Sequence, residues 1–258
     1  MSNLSGKLKT FFWYLARPKY YGQLWQLIKI RVLGSKPDDT RQAATDWCKK
    51  HAVNTEEALR IIMGANVPVQ RIEDSFNSEF EAAKEREKNC PVKMGGPGDL
   101  NLLYNLCEHI QAKKVIETGV AYGWSSFSIL LSIHKRNGLL CSTDMPYPKM
   151  NNDAYVGVVV PEHLRRHWNL IRLPDDKGLK IALDKIGNPD LCHYDSDKTY
   201  AGRMFGNTLL WNALRPGGIF ISDDINDNMG YHDFCEKNNL KPIIVHVYGK
   251  FVGIVVKK

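Results

Sequence analysis

The alternation of apolar runs and polar turns is clearest over residues 114–144. A short apolar run predicts a strand, and the turn from Gly119 to Gly123 follows it. Apolar residues at helical spacing then predict a helix over 125–137. A second apolar run predicts another strand, which ends in Asp144. The stretch therefore predicts a strand–turn–helix–strand unit with an acid at the tip of its second strand.

A unit of this kind receives a nucleotide-like ligand above the N-terminus of its helix. Asp144 is placed to accept both hydroxyls of a ribose. The turn contains Gly119, Ala121 and Gly123 instead of the G-x-G-x-x-G pattern of dinucleotide sites, and Glu117 precedes it. A carboxylate there would repel a pyrophosphate but would hold the ammonium of an amino-acid moiety. S-adenosylmethionine is therefore favoured over a nicotinamide cofactor, although a tight turn without any ligand is the alternative.

The segment from Glu117 to Ser125 resembles motif I of the class I S-adenosylmethionine-dependent methyltransferases, E-x-G-x-x-x-G-x-S. The resemblance implies a cofactor site made of Glu117, Gly119, Tyr122, Gly123, Ser125 and Asp144. A third strand is predicted over 170–173, and Asp175 and Asp176 stand at its tip. Asp176 is predicted to meet the adenine amino group there.

Acidic residues also follow two later predicted strands, 191–194 and 219–222. In a doubly wound sheet these strands are neighbours, so that their ends bring Asp195, Asp223 and Asp224 together. Three carboxylates in one place repel one another unless a cation joins them, and oxygen ligands suit Mg²⁺. We therefore predict a magnesium site, and strand-end caps are the alternative reading of these acids.

The order Asp195-x-Asp197, helix, L-R-P-G-G, Asp223-Asp224 resembles the macrocin-type O-methyltransferases, which are similar to catechol-type methyltransferases in using Mg²⁺. The resemblance covers about 95–258. It implies that Asp195, Asp223 and Asp224 bind the metal, Asp195 also lying at the cofactor, and that Asp197 is the base. Lys198 replaces the usual histidine of the related pattern and is included with Asp197 among the catalytic residues.

Length and composition agree with one α/β domain and an N-terminal extension. The chain has 258 residues, of which 43% are hydrophobic and 24% charged. We expect a helical extension over 1–94 and a catalytic domain over 95–258. The domain is predicted to be a three-layer, Rossmann-like sandwich with a seven-stranded, mostly parallel sheet that closes with an antiparallel hairpin.

Six scattered cysteines without a C-x-x-C pair indicate reduced thiols in a cytoplasmic protein. No apolar run approaches the ~18–20 residues of a membrane span, and a secretory signal is not expected. The expected acceptor is a hydroxyl on a sugar or on another small or glycan molecule. A metal-independent methyltransferase and a non-catalytic interaction module are the alternatives.

The segment 1–37 is basic and aromatic, with no acid before Asp38. Apolar residues at helical spacing on both sides of Pro18 predict two short amphipathic helices. Three explanations are open: the helices pack on the domain or on a second subunit, they contact an anionic membrane surface at the cytoplasmic side, or they bind nucleic acid. No nucleic-acid motif accompanies the charge, so nucleic acid is the least favoured partner.

Overall fold

The computed structural model describes residues 2–33, 40–146, 148 and 151–258. Its strands are β1 (Ala52–Val53), β2 (Lys114–Thr118), β3 (Leu139–Thr143), β4 (Trp168–Ile171), β5 (Leu191–Tyr194), β6 (Ile219–Ser222), β7 (Ile243–Val247) and β8 (Lys250–Val256). They form one sheet in the order β1-β7-β8-β6-β5-β2-β3-β4. All neighbours are parallel except β8, which runs antiparallel to both β6 and β7.

Helices flank this sheet. In chain order they are α1 (Ser2–Leu15), α2 (Tyr21–Leu33), α3 (Arg41–His51), α4 (Thr55–Met63), α5 (Ile72–Ser75), α6 (Asn77–Lys88), α7 (Leu100–His109), α8 (Trp124–Ile133), α9 (Glu162–Arg165), α10 (Asp175–Ile186), α11 (Tyr200–Ala213) and α12 (Gly230–Lys237). Side-chain caps begin several of them: the Asn54 oxygen accepts from the Glu57 amide, and the Asp99 oxygen from the Leu102 amide. None of the described helices combines the length and apolar character needed to cross a membrane.

The central strands are buried on both faces, which explains why they read as unbroken apolar runs. Val115 of β2 packs into a core cluster with Leu103 of α7 and Leu130 of α8. Its neighbour Ile116 points the other way, into a cluster with Leu179 of α10. Successive side chains of a strand point to opposite faces, so one short run supplies both halves of the core.

The predicted α/β fold, with its mostly parallel sheet and antiparallel C-terminal hairpin, is confirmed, but the sheet has eight strands instead of seven. The additional strand is β1, which lies in the N-terminal region and pairs in parallel with β7. Two residues are too few for an alternating pattern, so the sequence carries no signal for β1. The division of the chain between residues 94 and 95 stays a prediction.

Two other predicted boundaries differ from the structure. The strand predicted over 170–173 lies at Trp168–Ile171, and Asp175 and Asp176 form the first turn of α10. The two predicted N-terminal helices are present as α1 and α2, separated by a single 3-10 turn at Pro18–Tyr20. Residues 34–37 of that basic segment lie outside the described residues.

The strand register brings the functional candidates to one edge of the sheet. Thr118 at the end of β2 pairs with Thr143 of β3 and with Tyr194 of β5, and Tyr194 pairs with Ser222 of β6. The residues that follow these strand ends therefore meet at the carboxyl edge, where open α/β sheets bind their ligands.

The packing of Gly253 in β8 yields a test of this fold. A Cβ atom at Gly253 would overlap the ring of Tyr231, which is fully buried. We expect Gly253→Ala to lower the free energy of unfolding by about 1–3 kcal/mol, as overpacking does. The measurement is urea unfolding followed by circular dichroism.

The matched control is Gly22→Ala in α2, where an added Cβ meets no atom within 4 Å. This variant should unfold at the same urea concentration as the wild-type protein or at a slightly higher one, because alanine is the better helix former. Equal stability of the two alanine variants would show that Tyr231 does not pack against Gly253.

Candidate active site

A cavity of about 420 Å³ lies at the carboxyl edge of the sheet. Its polar side chains are Lys93, Asp99, Ser125, Asp144, Asn152, His193, Asp195, Ser196, Lys198, Asp223, Asp224 and Lys250. The backbone of the turn after β2 and the glycines of the loop before α7 also line it. The ends of β2, β3, β5 and β6 thus contribute to one concave site, of the kind that binds a small molecule.

The turn after β2 is held tightly against the end of β5. Gly119 has a φ of +76°, and a Cβ there would overlap the carbonyl oxygen of Asp195. Only glycine combines this left-handed conformation with so close an approach. Of the residues predicted for this turn, Gly119 and Ser125 line the cavity.

Tyr122 and Gly123 are directed elsewhere. The Tyr122 hydroxyl donates to the carbonyl of Val92 at 3.0 Å. Gly123, with a φ of +91°, packs its backbone against Gly157, which belongs to the long insertion after β3. Neither residue is part of the cavity lining, so their contribution to the site is to shape the turn and the start of α8.

Glu117 is fully buried behind the cavity instead of facing it. One carboxylate oxygen accepts hydrogen bonds from Ser126 and Ser142, at 2.5 and 2.6 Å. The other oxygen faces the Nδ1 atom of His193 at 3.7 Å and has no hydrogen-bond partner. The structure therefore does not bring Glu117 to the position predicted for an ammonium contact.

Asp144 lies at the predicted place, at the tip of β3 beside the turn. One of its oxygens accepts the Val120 amide at 3.0 Å, and the other pairs with the guanidinium of Arg172. Burial raises the pKa of Asp144, and the charge of Arg172 and the Val120 hydrogen bond offset part of that rise. Arg172, which no sequence motif singles out, thus holds the acid in place.

The acids after β4 do not line the cavity. Asp176 is exposed and accepts a hydrogen bond from the Gln23 amide at 3.1 Å. Asp175 accepts from the hydroxyl groups of Ser196 and Thr143, at 2.5 and 3.3 Å, and burial raises its pKa to about 6. The structure therefore places Asp176 away from any ligand in the cavity.

The predicted convergence of Asp195, Asp223 and Asp224 is present, since all three line the cavity. The cation between them is the ammonium of Lys198. It pairs with Asp195 and lies 3.0 Å from an oxygen of Asp224. Lys250 adds a second ammonium, 3.6 Å from the other oxygen of Asp224.

The ionisation of this cluster follows from the pairing. Burial would lower the pKa of Lys198, but Asp195 and Asp224 raise it overall, so Lys198 carries its charge. Burial and the charge of Asp223 raise the pKa of Asp195 to about 6, against the opposing effect of Lys198. Among the residues described, no cluster of three or more His, Cys, Asp or Glu side chains has the geometry of a metal site. Two of the carboxylates predicted to bind Mg²⁺ pair with the ammonium of Lys198 instead. This arrangement does not fit Mg²⁺.

Asp197 is exposed and lies outside the cavity. One of its oxygens accepts the Thr199 amide at 2.9 Å, just before α11. This is the local hydrogen bond that aspartate makes at turns and helix starts. The structure therefore does not bring the predicted base into the cavity.

His193 is a candidate that the sequence interpretation missed. It lies buried in β5, with Nε2 at 3.6 Å from Asp223 and Nδ1 facing Glu117. Burial would lower its pKa, but Asp223 and Glu117 raise it to about 10, while His193 in turn lowers the pKa of Asp223. The sequence feature that points to His193 is its place inside an otherwise apolar strand, two residues before an acid.

A comparison with known protein families finds a match in the segment that contains these strand ends. A family model described as "Methyltransferase domain" matches residues 116–225, which contain β2 to β6. No protein of curated function matches the chain.

Solved structures are similar in fold. The O-methyltransferase from Bacillus cereus in complex with SAH is 14% identical, with a TM-score of 0.55 over 81% of this chain and 100% of that chain. The SAH-bound methyltransferase PaMTH1 from Podospora anserina is 14% identical, with a TM-score of 0.52 over 87% and 98%. The O-methyltransferase TomG from Streptomyces achromogenes, in complex with SAM, is 17% identical, with a TM-score of 0.50 over 81% and 98%.

At these identities the structural likeness establishes the fold, while the family model identifies the central segment. Residues 116–225 match the methyltransferase domain model, and the chain shares its fold with these solved methyltransferase structures.

Proposed function

We propose that this protein is an S-adenosylmethionine-dependent O-methyltransferase. The observation that carries the proposal is the two-sided cavity, which joins the turn at Gly119 and the acid Asp144 to a cluster of paired charges at the ends of β5 and β6. Similar solved structures hold SAH or SAM by their own descriptions, which supports the same cofactor here.

In this proposal the cofactor lies along the turn after β2. Asp144 accepts the ribose hydroxyls while Arg172 holds its second oxygen, and Gly119 and Ser125 contact the methionine end. Glu117 lies behind the cavity. It accepts a hydrogen bond from Ser126 and so positions the start of α8, and it also faces His193. The cofactor side of the cavity is thus formed by the backbone of the turn and by two acids. Asp144 binds the ribose, and Glu117 positions α8.

The reaction is a direct displacement. The acceptor oxygen attacks the methyl carbon, the bond from carbon to sulfur breaks, and S-adenosylhomocysteine leaves as the acceptor oxygen gives up its proton. Because the sulfonium is already activated, the protein has to align the hydroxyl with the methyl group and remove the proton.

Lys198 is proposed to supply the positive charge beside the acceptor oxygen, in the place where the sequence predicts Mg²⁺. Its ammonium lies between Asp195 and Asp224 and lines the cavity. A fixed cation there stabilises the negative charge that develops on the oxygen. Metal-independent transfer is therefore our primary proposal, and magnesium dependence is the alternative that the experiment below decides.

Asp195 is proposed as the base, because it lines the cavity and Asp197 does not. The acceptor side is charged and polar, with Lys250 and Asn152 beside the acids. Such a lining suits a polyhydroxylated acceptor, and we propose a sugar or another small or glycan hydroxyl compound. A cytoplasmic location is part of the proposal, since all six cysteines are free thiols.

Cofactor binding is the first test. Asp144→Asn removes a charged acceptor of two ribose hydrogen bonds, each of which contributes about 1.5–3 kcal/mol. We expect the affinity for S-adenosylhomocysteine to fall by roughly 10²- to 10⁴-fold. Isothermal titration calorimetry measures it.

Asp176→Asn is the matched control, because Asp176 is exposed and outside the cavity. It should bind S-adenosylhomocysteine as the wild-type protein does. Wild-type affinity in Asp144→Asn would remove the ribose assignment, and absence of binding in the wild-type protein would overturn the proposed function.

The second test concerns the cation. We expect the wild-type protein to bind no Mn²⁺ in electron paramagnetic resonance titrations and to transfer methyl groups equally well with and without a chelator. Lys198→Ala leaves the carboxylates without their ammonium, so this variant should gain Mn²⁺ binding. The control Lys180→Ala, on the exposed surface of α10, should bind none. A wild-type protein that binds Mn²⁺ and loses turnover with chelator would instead establish the metal-dependent mechanism.

The third test separates the two candidate bases. Asp195→Asn should lower the rate of methyl transfer from labelled S-adenosylmethionine by about 10²–10⁴-fold, the usual contribution of a general base. A panel of sugar and phenolic hydroxyl compounds serves as acceptors. Asp197→Asn should retain most of the rate. The reverse pattern would return the base role to Asp197.

A further inference from the structure

The N-terminal helix α1 has two faces of different character. Trp13 and Tyr14 lie on its inner side, where Tyr14 is buried and Trp13 stacks on Tyr20 with the ring centroids 5.3 Å apart. The opposite side carries four large apolar side chains at helical spacing, and each of them is 40% exposed or more. They are Leu8, Phe11, Phe12 and Leu15.

The inner face already provides the attachment to the domain. Tyr20 is 1% exposed, and its hydroxyl donates to the carbonyl of Arg172 at 2.9 Å. Lys177 donates to the carbonyl of Lys19 at 2.8 Å, and Gln23 donates to Asp176. Packing on the domain therefore explains the inner residues, but the apolar side chains on the opposite side of α1 stay exposed in the described part of the chain.

The second helix continues the outer apolar surface. Tyr21, Trp25 and Leu27 of α2 are between 45% and 59% exposed. Half of the exposed large apolar side chains in the described part of the chain lie within residues 8–27. We call Leu8, Phe11, Phe12, Leu15, Tyr21, Trp25 and Leu27 the outer face. A concentration of this kind marks an interaction surface.

The charge of the molecule is concentrated in the same segment. All 28 acidic residues lie beyond residue 37, whereas seven of the 35 lysines and arginines lie within 1–37. The remaining chain is therefore balanced, and the entire net charge of +7 belongs to the segment that carries the outer face. A partner for this surface must be both apolar and anionic.

We propose that α1 and α2 dock on the surface of an anionic lipid membrane. The outer face enters the headgroup region, and exposed cations such as Lys9 and Lys29 interact with acidic lipids. A second copy of this chain fits less well, because a two-fold contact would bring two strongly positive segments together. Nucleic acid would neutralise the charge but would leave the apolar side chains in water.

The attachment also determines where such docking would occur on the domain. Tyr20 contacts the backbone of Arg172, whose side chain pairs with Asp144 in the cavity. The docked helices are therefore joined to the segment that holds this acid. The docking itself does not depend on the proposed methyl transfer.

Vesicle flotation of the full chain tests the proposal. We expect binding to vesicles of phosphatidylcholine and phosphatidylglycerol, weaker binding at high salt, and little binding to phosphatidylcholine alone. The double variant Phe12→Ser/Trp25→Ser should bind the anionic vesicles at least ~10-fold more weakly, because it removes two aromatic side chains of the outer face. Lys9→Glu/Lys29→Glu should weaken binding at low salt, where charge attraction is strongest.

Matched controls use exposed residues away from the outer face. Tyr248→Ser/Ile181→Ser and Lys180→Glu/Lys237→Glu change the same kinds of side chain and should bind as the wild-type protein does. Circular dichroism confirms that each variant is folded, and calorimetry with S-adenosylhomocysteine reports the cofactor site separately. A failure of the proposed function would therefore be distinguishable from a failure of docking.

Two results would overturn the proposal. One is a wild-type protein that does not float with phosphatidylglycerol vesicles. The other is a Phe12→Ser/Trp25→Ser variant that floats as well as the wild-type protein. Sedimentation velocity accompanies the assay: a wild-type dimer that this variant disrupts, without vesicle binding, would assign the outer face to a second copy instead.

Discussion

The site depends on the compensation of carboxylates that the sheet brings together. Parallel strands end at one edge, so Asp195, Asp223 and Asp224 meet whatever their individual roles. Close carboxylates resist ionisation unless cations lie beside them. Three such cations are provided by His193 of β5, Lys198 of the loop after β5, and Lys250 of β8. The charged site is thus held together by its own side chains, and this pairing decides which groups remain available for chemistry.

The same charge pairs stabilise the site and also place charged groups where the proposed reaction needs them. His193 connects the buried Glu117 behind the cavity to Asp223 within it, so the two sides of the site share one buried cation. Lys198 pairs with both Asp195 and Asp224 and also stands next to the space for an acceptor. A fixed ammonium requires no reorganisation when charge develops on an oxygen, which is the basis of electrostatic catalysis.

The sequence predicts those parts of this arrangement that follow from strand periodicity. Runs that are apolar on both faces mark β2, β3, β5 and β6, and the residues that follow them reach the carboxyl edge, as Asp144 and Asp195 do. The direction of a side chain near a strand end is not encoded in this way. Glu117 belongs to β2 and turns inward, whereas Asp197 is two residues beyond β5 and turns to the start of α11. Charge pairs such as Lys198 with Asp224 join distant positions and require the folded chain.

The balance of acidic and basic residues also differs between residues 38–258 and residues 1–37. Residues 38–258 contain equal numbers of acidic and basic side chains, so the cavity's charges can be satisfied within the fold. The segment 1–37 carries seven basic residues and no acid, and its cations therefore lack acidic partners within the segment itself. Because its outer apolar side chains are likewise left exposed by the packing of α1 and α2, charge and hydrophobicity select the same kind of external partner. The proposed anionic lipid surface satisfies both requirements, while the charge-balanced remainder of the chain contains the cavity.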